Sequence, residues 1–399
     1  MPSVCFYFKV HQPFRLRNFN IFDIGKNIDY FDNEKNKFYL DRIVKKCYLP
    51  TLNIIEELIK ETNYRFKISL GITGTLIEQL SLWYPEVIEK LKKIVSTGNV
   101  ELTGETYYHS LSSIYSKKEF EIQIKKHKKL INGLFKQEPV IFSNTELIYF
   151  DELENILPEL GFKGIITEGV DRILEWRSPN FIYSSLNNKL KILLRNYRLS
   201  DDISFRFSSK EWIEWPLTAE KFSYWLEQFN GNGEVINLFM DFETFGEHQW
   251  VETGIFEFLI NLVFEILKIK DFNFLTLSEA IKTYPTRGIF SSPYPITWAD
   301  TERDLTAWIG NEMQKDAIER LYGLENKIKS LDNKDMIEIW RKLQTADHFY
   351  YMCTKWFADG DVHKYFNPYE NPYVAYLNFR NILEDIYLKI KFEYKKSKV

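Results

Sequence analysis

Two hydrophobic patterns alternate along the first 280 residues of the chain. Short runs rich in β-branched and aromatic residues predict buried strands, and longer segments with an apolar residue at every third or fourth position predict amphipathic helices. The predicted strands are Ser3–Val10, Phe66–Ile72, Asn99–Thr103, Pro139–Ser143, Gly164–Thr167, Leu190–Leu194, Glu234–Met240 and Phe272–Leu277. The predicted helices are Pro50–Glu61, Leu76–Ile94, Lys117–Phe135, Asp151–Leu160, Phe222–Phe229 and Gly254–Lys268.

The alternation of strand and helix is typical of parallel β-α units. About seven strands in one continuous region favour a closed barrel over an open sheet. The pattern changes at residues 285–295, where three prolines and Gly288 predict a boundary. Only helical patterns follow, at Asn311–Leu331, Lys334–Leu343 and Asn371–Lys395. The sequence therefore predicts an α/β barrel over residues 1–290 and a helical C-terminal region over residues 291–399.

The composition excludes several classes of protein. The chain has 399 residues, of which 45% are hydrophobic and 27% charged, as is ordinary for a folded globular protein. Its 52 basic and 56 acidic side chains give a net charge of −4, with no attraction to nucleic acid or to an anionic membrane. Aromatic residues make up 17% of the chain. Many of them must fill the core, but their flat faces also suit stacking against sugar rings.

The cysteines and the apolar segments bear on the compartment. Cys5, Cys47 and Cys353 have spacings that fit neither a disulfide framework nor a zinc site. The first residues lack the basic region, apolar run and cleavage site of a signal peptide. The best candidate for a membrane span, Ile255–Ile266, is interrupted by two glutamates. We therefore expect a cytoplasmic protein that does not bind membranes.

Polar and ionisable side chains accompany the ends of four predicted strands. They are His11 after the first strand, Glu101 and Glu105 in and after the third, Glu146 after the fourth, and Asp241, Glu243 and His248 after the seventh. The active site of a parallel barrel lies at the carboxyl ends of its strands, so closing the barrel brings these residues together. A single carboxylate at a strand end commonly caps the next helix, but four such clusters favour a functional site.

Glu146 and Asp241 both lie in strongly apolar stretches, FSNTELIYF and NLFMDFETF. A carboxyl group in such surroundings is costly unless it is paired or used in chemistry. Glycoside hydrolysis needs two carboxyl groups in different surroundings, one ionised to attack the sugar and one protonated to serve the leaving oxygen. The pair therefore predicts a glycosidase site, while each carboxylate alone also fits a hydrogen-bonded structural role.

A metal centre is the competing interpretation of the same region. Its candidate ligands are His11, His109, Asp241 and His248. The sequence contains no HExxH or CxxC motif, no glycine-rich phosphate loop and no GxSxG nucleophile motif. We therefore expect neither a catalytic metal nor a cofactor.

Taken in order, five short segments resemble the signature regions of glycoside hydrolase family 57. They are His11–Pro13 (HQP), Gly98–Glu101 (GNVE), Asn144–Glu146 (NTE), Asp241–Glu243 (DFE) and Thr297–Asn311 (TWADTERDLTAWIGN). The segments LQTADHFYYM, ending at Met352, and DGDVHKYFNPY, from Asp359, look like the C-terminal part of the short α-amylase branch of that family. The resemblance implies a distorted (β/α)7 barrel followed by a helical region, α-1,4-glucan substrates and no required metal.

The same resemblance implies roles for individual residues. Glu146 matches the family's nucleophile, and Asp241 matches its acid/base residue. The substrate-binding candidates are His11, Glu101, Glu243, Asp304 and Trp308 and, from its residue type alone, Trp298.

These roles predict a retaining α-amylase that cleaves α-1,4-glucans by double displacement, with the two carboxyl groups about 5–5.5 Å apart. A 4-α-glucanotransferase forms the same covalent intermediate and passes it to a sugar, and the exclusion of water decides between the two. A branching enzyme, a glucan-binding protein without turnover and a metal-dependent deacetylase on a related barrel are further alternatives. Products from maltoheptaose and the effect of a chelator distinguish them.

Overall fold

The computed structural model describes residues 2–355 and 367–396, and this part of the chain contains ten strands. They are β1 (Ser3–Val10), β2 (Ile68–Ile72), β3 (Val100–Leu102), β4 (Ile141–Ser143), β5 (Gly164–Glu168), β6 (Ile182–Ser184), β7 (Lys191–Arg195), β8 (Val235–Asp241), β9 (Asn273–Phe274) and β10 (Thr286–Ile289). Residues 359–366 of the segment DGDVHKYFNPY lie outside the described residues.

Seven parallel strands form the barrel wall. One sheet has the order β3-β2-β1-β8, with Phe6 of β1 in register with Ile68 on one side and Leu238 on the other. The second sheet contains β4, β5 and β7 as parallel neighbours, and β6 extends it antiparallel to β7. All eight residues of β1 are buried, as expected for a parallel strand that is covered on both faces.

Contacts on two sides close these sheets into a barrel. A parallel bridge joins Gly104, after β3, to Phe142 in β4. On the other side, the side-chain amide of Asn237 in β8 donates to the carbonyl oxygen of Leu194 in β7 at 2.8 Å. Backbone N–H of Asn196 donates back to the Asn237 carbonyl at 3.0 Å. This arrangement agrees with the predicted (β/α)7 barrel, and it places the carboxyl ends of its strands at one rim.

Helices cover the barrel and build the C-terminal region. In chain order they are α1 (Asn33–Ile43), α2 (Leu49–Glu61), α3 (Gly74–Trp83), α4 (Pro85–Val95), α5 (Ser112–Tyr115), α6 (Lys117–Phe135), α7 (Asp171–Leu174), α8 (Tyr197–Asp201), α9 (Ala219–Glu227), α10 (Ile255–Lys268), α11 (Leu277–Thr283), α12 (Thr306–Ile309), α13 (Glu312–Gly323), α14 (Glu325–Ser330), α15 (Lys334–Lys342), α16 (Ala346–Tyr350) and α17 (Pro372–Lys396). Thr73 and Ser116 cap α3 and α6 by accepting first-turn N–H groups. Among the described residues, no helix combines the length and the apolar character that a membrane crossing requires.

Two predicted helices of the barrel region are shaped differently in the structure. The predicted helix Leu76–Ile94 is divided into α3 and α4, because Pro85 suits the start of a helix and lacks the N–H that would continue the preceding one. The predicted helix Asp151–Leu160 consists of two short 3-10 turns, the second beginning at Pro158. In both places a proline begins a new helical segment and so interrupts the predicted helix.

Two further predictions are wrong in length. The strand predicted over Phe272–Leu277 is limited to β9, because the Thr276 side chain caps α11 together with Glu279. The helix predicted over Asn311–Leu331 is divided into α13 and α14 at Leu324.

The C-terminal helices pack directly against one side of the barrel. Among the described residues, the chain after β10 forms helices and no strand, as the sequence predicts. One continuous core contains Phe142 and Ile192 from the barrel together with Phe349 and Ile382 from α16 and α17. This core extends across residue 290. The division into two domains at that residue stays a prediction.

Candidate active site

A cavity of about 140 Å³ opens at the carboxyl ends of the barrel strands. Its walls come from the ends of β1 and β8, from the loops after β3, β4 and β7, and from two C-terminal segments, residues 298–303 and 347–350. Five residues predicted from the sequence line it, namely His11, Glu146, Asp241, Glu243 and Trp298. Parallel β-α barrels place their active sites at this end.

The carboxylate of Glu146 is held at both oxygens. His109 Nε2 lies 2.7 Å from Oε1, and the indole N–H of Trp298 donates to Oε2 at 2.8 Å. The backbone carbonyl of Glu146 accepts from the Thr297 hydroxyl at 2.5 Å and from Trp298 N at 3.3 Å. An ionised carboxylate only accepts hydrogen bonds, so an indole N–H and an imidazole N–H are matched partners for it. The contacts fix the orientation of this carboxylate in the cavity.

The backbone turn that carries Glu146 is held by its neighbours. Glu146 has φ 52°, a left-handed conformation that is costly for a residue with a side chain. Asn144 accepts from Thr145 N at 3.0 Å and donates to the Ile148 carbonyl at 3.0 Å. The Thr145 hydroxyl donates to the carbonyl oxygen of Ser110 at 2.7 Å. These contacts hold the turn in the conformation that aims the Glu146 side chain at the cavity.

Asp241 and Glu243 lie at the carboxyl end of β8, where Asp241 is in register with Lys9 of β1. Glu243 is only 4% exposed, and the Tyr48 hydroxyl donates to its Oε1 at 2.6 Å. Burial, reinforced by the negative charge of Asp241, raises the pKa of Glu243 to about 8. Glu243 is therefore a neutral carboxylic acid at pH 7.

His11, His109 and Asp347 come together beside Glu146. The two imidazole rings lie 4.1 Å apart between centroids, and His11 Nε2 is 3.0 Å from Asp347 Oδ2. Burial lowers the pKa of His11, and it lowers the pKa of His109 to about 3, so both rings are neutral at pH 7. One donor atom from each of the three residues lies within 4.8 Å of the others, so these residues could hold a metal ion.

A buried ion network forms another part of the cavity wall. Arg195 donates to Glu168 Oε2 at 3.0 Å and to Asp201 Oδ1 at 2.5 Å. Arg303 lies 3.6 and 3.7 Å from the same two carboxylates and donates to the Trp298 carbonyl oxygen. The Arg195 guanidinium is 5.6 Å from the centre of the Trp298 ring. The network therefore supports the indole that contacts the Glu146 carboxylate.

The structure does not place Glu101, a predicted sugar-binding residue, among the residues that line the cavity. Its carboxyl group accepts from the Ser69 hydroxyl at 3.1 Å and from Ser278 N at 2.9 Å. Ser278 lies in the first turn of α11, where a carboxylate satisfies free N–H groups and interacts favourably with the helix dipole. Glu101 therefore connects β2, β3 and α11 through its carboxyl group.

Asp304 and Trp308, two further predicted substrate contacts, are also absent from the cavity wall. Asp304 accepts from Thr306 N at 2.8 Å, at the start of α12. Trp308 is 1% exposed and packs edge-on against Tyr350, with ring centroids 6.2 Å apart. Trp308 supports a cavity-lining tyrosine from behind and leaves no surface for a sugar.

Several cavity residues were not identified as site residues from the sequence. Arg195 is the last residue of β7, so the strand-end criterion applies to it as well. Asp347 lies within LQTADHFYYM, a segment already singled out by its resemblance. The sequence makes His109 a candidate only as a metal ligand. Lys9 lies inside a buried strand and carries no such signal.

A cavity at the rim of a (β/α)7 barrel, with carboxyl groups from different strands, is an arrangement that suits an enzyme cleaving glycosidic bonds. Residues 5–296 match the sequence profile of the family described as Glycosyl hydrolase family 57. The chain belongs to this family and is a glycoside hydrolase, similar to α-amylases.

A protein of Methanocaldococcus jannaschii, whose name provisionally calls it an alpha-amylase, is 44% identical over 401 residues, covering 97% of this chain and 85% of that protein. The fold is similar to that of 4-alpha-glucanotransferase from Thermococcus litoralis, with a TM-score of 0.72, 15% identity, and 96% of this chain and 59% of that chain covered. The branching enzyme of Pyrococcus horikoshii gives a TM-score of 0.70, 15% identity, and coverages of 95% and 88%. The alpha-amylase AmyC from Thermotoga maritima gives a TM-score of 0.64 and 14% identity, with 98% of this chain and 93% of that chain covered. The similarity to the solved structures shows the shared fold.

Proposed function

We propose that the protein is a retaining α-1,4-glucan hydrolase, an α-amylase acting on starch- or glycogen-type chains and maltooligosaccharides. The observation that carries the proposal is the carboxylate of Glu146, held by His109 and Trp298 in the cavity that Asp241 also lines. Membership of family 57 and the 44% identity to a protein named as an alpha-amylase support the substrate class.

Glu146 and Asp241 act together in both chemical steps. For the first step Asp241 must hold a proton, which it gives to the glycosidic oxygen while Glu146 attacks the anomeric carbon and the C–O bond to the leaving sugar breaks. This step gives a covalent glycosyl ester on Glu146 through an oxocarbenium-like transition state. Asp241, now ionised, takes a proton from water, and the water attacks the anomeric carbon and releases Glu146. Each attack inverts the anomeric centre, so the product retains its configuration.

The neighbouring groups position the sugar. His11 and Asp347, joined at 3.0 Å, offer hydrogen-bonding atoms to sugar hydroxyls beside Glu146. Glu243, which is neutral at pH 7, offers a carboxylic acid O–H to the sugar on the side of Asp241. Such hydrogen bonds raise the rate only where they are stronger in the transition state than in the bound substrate.

Transfer to a second glucan is the alternative to hydrolysis, and product analysis separates them. Purified protein is incubated with maltoheptaose in the presence of EDTA, and the sugars are resolved by chromatography. Hydrolysis predicts only shorter sugars, with a rising count of reducing ends. A ladder of sugars both shorter and longer than maltoheptaose, at a constant count of reducing ends, would show a glucanotransferase. Unchanged maltoheptaose would contradict α-1,4-glucan cleavage.

Replacing Trp298 by Phe is expected to lower kcat about tenfold or more and to leave KM within about twofold. Phe keeps the ring and removes the indole N–H that donates to Glu146 Oε2. A hydrogen bond to a charged group contributes about 1.5–3 kcal/mol, and each 1.4 kcal/mol is a factor of ten in rate. Initial rates over a range of maltoheptaose concentrations measure both constants. Trp212→Phe, outside the cavity wall, is the matched control. A raised KM with normal kcat would instead identify Trp298 as a sugar-stacking residue.

The free energy of unfolding of the native protein is expected to fall as the pH rises, whereas that of Glu243→Gln should not show this loss. The carboxyl group has a pKa of about 8 when folded and an ordinary value of 4.5 when unfolded. Between these values the folded state alone holds the proton, so stability falls with rising pH through this window. The loss is about 5 kcal/mol over the whole window, and glutamine removes it.

Denaturant unfolding at pH 5 and pH 8.5 tests this expectation. The difference in unfolding free energy between Glu243→Gln and the native protein should move in favour of the variant at the higher pH. Glu257→Gln, at an exposed position on α10, is the control and should show a constant difference. A constant difference for Glu243→Gln as well would contradict the raised pKa.

A further inference from the structure

We propose that His11, His109 and Asp347 form a binding site for one divalent transition-metal cation of the Zn²⁺ class, and that a cation bound there inhibits the enzyme. The inhibition rests on the proposed glucan hydrolysis, whereas the binding does not depend on it. The three residues come from the end of β1, the loop after β3, and α16, so the folded barrel assembles the site.

The donor atoms are already close to the spacing of a metal site. One ring nitrogen of each histidine and one carboxylate oxygen of Asp347 lie within 4.8 Å of one another. Tetrahedral zinc with bonds of about 2.0–2.1 Å places its ligand atoms a little over 3 Å apart. His11 Nε2 and Asp347 Oδ2 are separated by 3.0 Å, so this pair needs little movement. The Glu146 carboxylate, paired with His109 Nε2 at 2.7 Å, adds a negative charge next to the cluster.

The site offers donors in the form that a metal ion requires. His109 is 2% exposed, and among the described residues no partner accepts from or donates to its Nδ1. The Thr73 hydroxyl lies 2.9 Å from His11 Nδ1 and orients the ring, as an outer partner does for a metal-bound histidine.

Charge and ligand type select the class of cation. Two carboxylates, Asp347 and Glu146, balance a divalent charge. The nearby ammonium group of Lys9 opposes a cation but is itself paired with the buried carboxylate of Glu105. Two imidazole nitrogens with carboxylate oxygens favour Zn²⁺, Cu²⁺ or Ni²⁺, whereas Mg²⁺ and Ca²⁺ prefer sites made of oxygen alone.

A cation in this site competes with the reaction. It takes the nitrogen and oxygen atoms of His11 and Asp347 that would otherwise contact sugar hydroxyls. It also attracts the Glu146 carboxylate, which must be free to attack the anomeric carbon. We therefore expect Zn²⁺ and substrate to exclude one another.

Zinc binding to the metal-stripped, full-length protein tests the site without reference to catalysis. ZnCl₂ is titrated by calorimetry into the native protein and into His109→Asn and Asp347→Asn, with thermal melting curves to confirm that the variants are folded. The expected result is one Zn²⁺ per native chain and at least tenfold weaker binding in both variants. His248→Asn, a cavity histidine outside the cluster, should bind as the native protein does, and MgCl₂ should give no binding. No stoichiometric Zn²⁺ binding, or native affinity in folded His109→Asn, would overturn the proposal.

Activity provides the second readout. With maltoheptaose, Zn²⁺ should raise the apparent KM at unchanged kcat, and EDTA should restore the original rate. A higher rate with Zn²⁺ would overturn the inhibitory role and make the cation part of the reaction. Stoichiometric Zn²⁺ binding by a protein that does not cleave glucans would support the metal site and contradict the proposed function, so the two failures are distinguishable.

Discussion

Glu146→Gln is expected to reduce the turnover of maltoheptaose by about a thousandfold or more while glucan binding is retained. The substitution preserves the size and shape of the side chain but replaces the attacking carboxylate with an amide that cannot form the glycosyl ester. The left-handed turn at this position is held by Asn144 and Thr145, so it does not depend on the charge of Glu146. Steady-state rates and calorimetric binding of maltoheptaose to the variant measure the two effects separately.

Glu101→Gln is the matched control for this variant. Glu101 is another glutamate of the barrel and is partly buried, but its carboxyl group contacts Ser69 and Ser278 outside the cavity. We expect the kcat of Glu101→Gln to stay within about threefold of the native value, because the glutamine amide can keep polar contacts with Ser69 and Ser278 and the change lies outside the cavity. A large loss in Glu101→Gln with an intact fold would restore the role that resemblance alone implies for it.

Chemical rescue provides a stricter test of the nucleophile. In Glu146→Ala, azide in the vacated space should attack the anomeric carbon of an activated α-maltosyl substrate directly. A single displacement inverts the centre, so the expected product is a β-glycosyl azide. Native-like turnover in Glu146→Gln, or rescue of a different variant instead, would assign the nucleophile to another residue.

Asp241→Asn is expected to have the second largest effect, a loss of about 10²–10⁴-fold in kcat/KM on maltoheptaose. Asparagine cannot donate a proton to the glycosidic oxygen, so the loss depends on how much the leaving group needs that proton. With an aryl maltoside whose phenol leaves readily, formation of the glycosyl ester should be nearly normal. The comparison of the two substrates, by single-turnover kinetics, therefore identifies proton donation specifically.

Glu243 is the competing candidate for the proton donor, because it is the carboxyl group with a pKa raised to about 8. Its carboxyl group is held by the Tyr48 hydroxyl at 2.6 Å and is 4% exposed. We expect Glu243→Gln to lower the rates on both substrates by a similar factor, as for a residue that binds sugar. A loss confined to the poor leaving group in Glu243→Gln, and absent in Asp241→Asn, would exchange the two roles.

The barrel could be predicted from the sequence because its strands are local features. Each strand is a short apolar run, and β1 is buried along its whole length, so the pattern is strong there. Errors occurred where a proline or a capping residue ended an element early, as at Pro85 and Thr276. These residues act within one turn of the chain, and the hydrophobic periodicity around them continues past the point where the element ends.

The cavity was harder to predict because its partners are distant in sequence. His11 and Asp347 are 336 positions apart, and the Trp298 indole contacts a glutamate 152 positions before it. Strand-end residues such as Glu146 and Asp241 were found because the barrel rule places them at one rim. Asp347 belongs to a C-terminal helix, for which no such rule exists.

Three predicted substrate contacts that do not line the cavity have features in common. Glu101, Asp304 and Trp308 are residue types that suit sugar binding, but such residues also suit helix caps and core packing. Glu101 and Asp304 accept N–H groups at helix starts, and Trp308 fills the C-terminal core. Residue type and a matching motif do not decide between these roles, because the direction of the side chain depends on the packing of the whole fold.

The stereochemistry of the first product tests the central claim most directly. Maltoheptaose is digested with a high concentration of enzyme in deuterated buffer, and proton NMR spectra are recorded in the first minutes, before the new reducing ends equilibrate. Double displacement through Glu146 and Asp241 predicts that the α-anomer appears first and the β-anomer follows by mutarotation. Initial appearance of the β-anomer would show a single displacement and would contradict the covalent intermediate on Glu146.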